Sequence, residues 1–193
     1  IAATLSLGQV QEADTLLPLA TRTYQRAVHV AGDPPDPIAC EAYLGLARIA
    51  YQWNDLQAAQ QYAQRCLQLT QQMERLDTSA SHALLLARLK LAQGNVDGAA
   101  AILDGAEAFV RQHGFVFRMP EIAAAQVLVL LRQGHLATAA RLAQTHDLPL
   151  SQARVHLAQG DPRTALALLE PLGHQAEAQG WPDVRASRAG SEI

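Results

Sequence analysis

The chain has 193 residues, a formal net charge of −3, 49% hydrophobic and 17% charged residues. That is apolar enough for a folded core and excludes a disordered chain. With Lys90 as its single lysine and no basic excess, it also lacks the electrostatic footprint of a nucleic-acid binder.

In chain order, "IAATLSLGQVQEA" has no basic region that would mark a signal peptide and reads as the tail of a helix cut open, so a fragment of a longer protein is expected. Gly8 is the first candidate turn, with Ala13 five positions on. Gly32 closes the next helix and Pro37 opens "CEAYLGLARIAYQ". Asn54 is the second turn, Asp55 a capping group and Ala59 the alanine. "ASHALLLARLKLAQ" leads to Gly94, Asp97 and Ala99, and Gly114 ends the helix that follows. Pro120 opens "PEIAAAQVLVLLRQ", which runs to Gly134 and Ala139. Pro149 opens "LPLSQARVHLAQ", which runs to Gly160, the pair Asp161–Pro162, and Ala165. Gly180 is a further stop, and Trp181 begins what reads as a sixth unit that the tail "ASRAGSEI" does not complete.

The five alanines lie 46, 40, 40 and 26 residues apart, a period that signals a helical array. Glycine, or Asn54 in its place, predicts a left-handed backbone at each turn. The small alanine lets paired helices approach closely, an apolar anchor (Val10, Leu56, Val96, Leu136, Pro162) stands two positions after the turn, and Leu17, Ala63, Leu103, Ala143 and Leu169 continue the stripe. The predicted fold is all-α: an αα-hairpin solenoid, a TPR-like superhelix of about five repeats, with turns at 8, 54, 94, 134 and 160 in a single domain over 1–193. No stretch holds the apolar length of a membrane helix, so no membrane partner is expected.

This spacing resembles the tetratricopeptide repeat. "LARIAYQWNDLQAAQQYAQRCLQL", "LLLARLKLAQGNVDGAAAILDGAEAFVRQHG" and "ALALLEPLGHQAEAQGW" resemble, more closely, the helical-repeat region of MalT-type activators, large ATP-dependent members of the bacterial LuxR family. The resemblance implies a cytoplasmic sensor region. Its parent would carry an upstream nucleotide-binding module and a downstream helix-turn-helix, so ATP and DNA would be bound only by other parts. In MalT the repeat region takes part in recognising maltotriose, yet family members sense different effectors. The implied partner is therefore a small-molecule effector, a sugar among the candidates, or a protein or peptide. No GxxxxGK[ST] phosphate loop occurs in this chain.

Candidate contacts follow from the repeat register. Arg48, Arg88, Leu128 and Arg154 stand six residues before their turns, at a position that faces the groove in tetratricopeptide folds. Tyr51 shares the face of Arg48, with Glu41 and Glu121 near the helix starts. Planar guanidinium forks there would hold a carboxylate, a phosphate or sugar hydroxyls, or else pair with groove carboxylates. His29, His82, His113, His135, His146, His156 and His174 show no ligand or catalytic spacing and read as surface or helix-end residues. No catalytic residue, cofactor or metal site is therefore expected, and the chain does not read as an enzyme. Cys40 and Cys66 read as packing thiols and Trp53 as packing over a hairpin end. Apolar faces left at the cut ends predict weak self-association.

Overall fold

A computed structural model describes residues 1–70 and 76–178. Gly180, Trp181 and the tail "ASRAGSEI" lie outside the described residues. Among the described residues ten α-helices form five consecutive pairs: α1 Ala2–Ala13 with α2 Leu17–Val30, α3 Cys40–Gln52 with α4 Leu56–Thr70, α5 Leu76–Ala92 with α6 Val96–Gln112, α7 Met119–Arg132 with α8 Leu136–Thr145, and α9 Pro149–Ala158 with α10 Pro162–Ala178. Short 3₁₀ turns, Pro37–Ala39 and Val116–Arg118, precede α3 and α7. The described residues contain no strand. The chain groups into two compact units, Ile1–Ile122 and Ala123–Ile193, with the division inside α7.

Each pair is closed by the same backbone device. The residue after the turn donates its N–H five residues back: Leu16 to Gln11, Asp55 to Ala50, Asn95 to Lys90, His135 to Leu130 and Asp161 to His156, all between 2.8 and 2.9 Å. This is the Schellman closure, which takes up orphan helix carbonyls and needs a left-handed residue at its corner. Asn54 (φ 60°), Gly94, Gly134 and Gly160 (φ 78–81°) supply that corner as predicted.

The first turn does not lie at Gly8. That residue is buried inside α1, and the left-handed corner is Thr15, at φ 59°. Ala13 is exposed and Val10 is 57% exposed, so neither is a packing position. Counting from Thr15 restores the pattern: Leu17 becomes the half-buried anchor, Ala20 the alanine and Tyr24 the stripe residue. Ala20, Ala59, Ala99 and Ala139 are then all fully buried, and Ala165 is 1% exposed. Threonine hid the turn because its branched Cβ disfavours the conformation that it adopts.

Capping follows the sequence at Asp55, whose Oδ1 accepts from Ala58 N–H, and at Asp161, which accepts from Thr164 N–H. Hydrogen bonding to Thr164 holds the Asp161 carboxyl below its usual range. Asp97 sits in the first turn of α6, and the cap there is Asn95, which accepts from Gly98 N–H at 2.8 Å. Gly32 and Gly114 take positive φ after second helices as expected; Asp147, at φ 49°, does the same after α8.

In the first unit α1, α3 and α5 pack side by side, each also paired with its own second helix. Leu5, Ala20, Tyr24, Ala27, Ala42, Leu46 and Ile49 form the core between α1, α2 and α3. A neighbouring cluster joins α3, α4 and α5 through Leu44, Ala47, Ala63, Cys66, Leu85 and Leu89. The second unit is centred on Val127, Ala139, Ala143 and Val155. Both cysteines are fully buried thiols, as read from sequence, and they meet: a hydrogen bond with Cys40, reinforced by burial, holds the Cys66 thiol well above its ordinary range. No helix among the described residues is long and apolar enough to cross a membrane.

Candidate first-helix face of the repeat array

The face formed by α1 and α3 is organised around Glu12, in the last turn of α1. Arg48 reaches it with both sides of its fork, Nε to Oε1 and Nη2 to Oε2, each at 2.7 Å. Tyr24 donates its hydroxyl to Glu12 Oε2 at 2.9 Å. The Glu12 side chain is only 13% exposed and that of Arg48 34%. Burial opposes the Arg48 charge, but the hydrogen bonds and negative charge of Glu12 hold its pKa above the usual arginine value. Burial, and then Glu12, push the Tyr24 hydroxyl well above the ordinary phenol range.

Two glycines make this arrangement possible. A Cβ on Gly8 would lie 2.6 Å from Tyr24 Cε1, and one on Gly45 would lie 2.4 Å from Tyr24 Cε2. The ring, which is 0% exposed, is thus clasped between a glycine of α1 and a glycine of α3. Beside it Thr23 Oγ1 donates to the buried Gln11 Oε1 at 2.7 Å.

The predicted contacts divide accordingly. Arg48 is engaged in the bidentate pair. Tyr51 is half-buried, packed against the core between α3 and α4. Arg88, on α5 between the buried Ala87 and Leu89, is exposed and has no ion pair among the described residues. Arg154 is exposed on α9, in the second unit. Glu41 is half-buried in the first turn of α3, and Glu121 pairs with Arg118 at 3.0 Å. Arg48 and Tyr51 both stand on α3 but meet different neighbours, Arg48 the Glu12 carboxylate and Tyr51 the core between α3 and α4, and Glu12 and Tyr24 are the members that the sequence reading missed. The signal was present once the register is corrected. Glu12 stands three residues before Thr15, as Tyr51 stands three before Asn54. Repeat equivalence therefore aligns Glu12 with Arg48 on one pair of first helices and Tyr51 with Arg88 on the next.

Two expectations about single residues need correction. His82 is not at the surface: it is 5% exposed on α5, and its Nε2 lies 2.9 Å from the Ala63 carbonyl of α4. Burial lowers its pKa, and the carbonyl contact only partly opposes this. Trp53 does not pack over its hairpin end; it is 53% exposed at the C-terminus of α3. Among the described residues no group of three or more histidine, cysteine or acidic side chains could hold a metal ion.

Comparison with known proteins agrees with this architecture. A thermophilic TPR protein of Thermus thermophilus superposes with a TM-score of 0.67 at 20% identity, covering 98% of this chain and 97% of its own. That likeness establishes the fold, an all-α helical-repeat solenoid. No curated protein sequence matches the chain. The sequence model of the MalT-like TPR region matches residues 1–188, so the array is a protein-interaction repeat region, of a type that is typically non-catalytic. On the length of that match and the repeat geometry behind it, the chain belongs to the MalT-like TPR region family.

Proposed function

We propose that this chain is the effector-sensing and protein-interaction region of a MalT-type regulator of the LuxR family, without enzymatic activity of its own. An effector or partner binds the first-helix face around Arg88 and Tyr51. Modules elsewhere in a cytoplasmic, bacterial parent bind ATP and DNA. The observation that carries the reading is the match of the MalT-like TPR region to residues 1–188. The exposed Arg88, with no ion pair among the described residues and aligned with Tyr51 by repeat equivalence, offers a charge to a ligand, in contrast to Arg48, whose charge Glu12 already takes. Arg154 offers the same chemistry in the second unit.

A free-standing TPR scaffold that binds a peptide has equal support from the fold. Sequencing the reading frame beyond both ends separates the two. A phosphate loop upstream and a helix-turn-helix downstream support the regulator, and a frame lacking both leaves the scaffold. In a regulator, Arg88→Ala should weaken effector response about tenfold while the fold survives. Arg48→Ala is the poorer probe, since it also leaves Glu12 unpaired.

A further inference from the structure

The second-helix side of the first unit carries a feature that the first-helix face does not use. Between α3 and α4 lies a notch of about 460 Å³ lined by Tyr43, Gln61, Tyr62, Gln64, Arg65 and Gln68. The two tyrosine rings, from the first turn of α3 and the middle of α4, are half-buried, 6.3 Å apart and inclined by 33°. Core packing accounts for their inner edges, which lie against the cluster joining α3, α4 and α5. It does not account for what surrounds the outer edges. The hydroxyls of Tyr43 and Tyr62 and the amides of Gln61 and Gln64 have no hydrogen-bond partner among the described residues. Arg65 Nη1 touches Gln68 Oε1 at a long 3.3 Å. Arg65 is the only charged residue of α4, so the helix has no opposite-charge pair within itself, and among the described residues no carboxylate lines the notch.

These groups have one chemistry in common. A glutamine amide both donates and accepts, as a peptide main chain does. A tyrosine offers an apolar face together with a polar tip. A guanidinium with no lining acid among the described residues is matched to a carboxylate. The volume lies within the range of small binding sites. We propose that the Tyr43–Tyr62 notch is a second docking site, taking a short extended peptide segment that carries an aspartate or glutamate. The amides of Gln61 and Gln64 pair with its main chain, the rings hold its apolar part, and Arg65 takes the carboxylate. This rests on the reading of the chain as an interaction region, and adds a surface distinct from that around Arg88.

The test is selection from a display library of short random peptides on the full chain. Binding of the selected peptides is then measured by fluorescence anisotropy to the wild type, Arg65→Gln, Tyr62→Phe and Arg88→Ala. Arg65 is exposed, so Arg65→Gln should melt with the wild type. The expected result is enrichment of acidic peptides whose affinity falls about tenfold in Arg65→Gln, falls less in Tyr62→Phe, and is unchanged in Arg88→Ala. Replacing the peptide's acid by its amide should reproduce the Arg65→Gln loss. Absence of enrichment, or peptides indifferent to Arg65→Gln, overturns the site. Peptides that respond to Arg88→Ala alone overturn the notch while leaving the interaction reading standing. Ring-proton shifts of Tyr43 and Tyr62 with a neutral glucose oligosaccharide, and none with acidic peptides, overturn the peptide assignment.

Discussion

Tyr24 is the residue on which the first two repeats depend. Its ring fills the space that two missing side chains leave, and its hydroxyl is bound by the carboxylate that also binds Arg48. Gly45→Ala should therefore destabilise the fold by about 1–3 kcal/mol, because a fully buried ring has nowhere to move. Urea unfolding would measure this. In a Tyr24→Ala background the same substitution should cost much less, and equal costs in both backgrounds would mean that the clasp is not the cause. Glu12→Gln tests the polar side. It removes the charge from a partly buried bidentate pair and should cost about 1–2 kcal/mol, after allowing for the solvent that still reaches Arg48. His82 adds a pH dependence of definite sign. Its folded pKa lies below the ordinary 6.5, so the unfolded chain takes up the proton first as pH falls. The contribution of the neutral ring is fully present above that value and is lost as pH drops below it, at up to about 1.4 kcal/mol per pH unit. His82→Gln should flatten the acid limb of a stability–pH curve, and an unchanged slope would place the titration elsewhere.

At the scale of the element, the hairpin is what the sequence made legible, and the exception shows why. Four turns announced themselves through glycine or asparagine, residues whose intrinsic freedom matches the corner. At Thr15 the surrounding helices impose the corner on a residue that resists it, so local chemistry pointed to Gly8 and misplaced the first unit. The buried alanine, a tertiary requirement, held its register better than the turn residue did: Ala20 follows Thr15 as Ala59 follows Asn54. The Glu12–Arg48 pair was invisible for the same reason, since it becomes regular only in the corrected register. His82 and Trp53 were misread because exposure at a helix face depends on neighbouring helices, which a period alone does not place. Thr15→Gly should raise stability by about 1 kcal/mol, the strain relieved exceeding the added unfolded-state freedom of glycine. Gly134→Ala should lower it by a similar amount. If thermal melts of the two variants moved in the same direction, backbone strain would not be the controlling term.

Across the whole molecule, stability should be uneven, because in an array each helix draws its burial from its immediate neighbours. α3 packs against α1, α2, α4 and α5 and buries Cys40, Ala42, Leu44, Gly45, Leu46, Ala47, Ile49 and Ala50. α9, with ten residues, buries only Ser151, Ala153 and Val155. Amide exchange reports the free energy needed to open each segment, and it is slowest where opening would expose the most packed surface. The amides of Leu46–Ala50 should therefore be the most protected in the chain, and those of α9 should exchange earlier. Substitution distinguishes packing from function on this map. Leu46→Ala should cost about 2–5 kcal/mol and speed exchange throughout α3, since it opens a cavity in the core shared by three helices. Arg88→Ala, at an exposed position, should leave the protection pattern unchanged. If α9 were as protected as α3, nearest-neighbour packing would not govern this array. If Arg88→Ala loosened α5, its side chain would be serving the fold, and the ligand-binding role proposed for it would lose its basis.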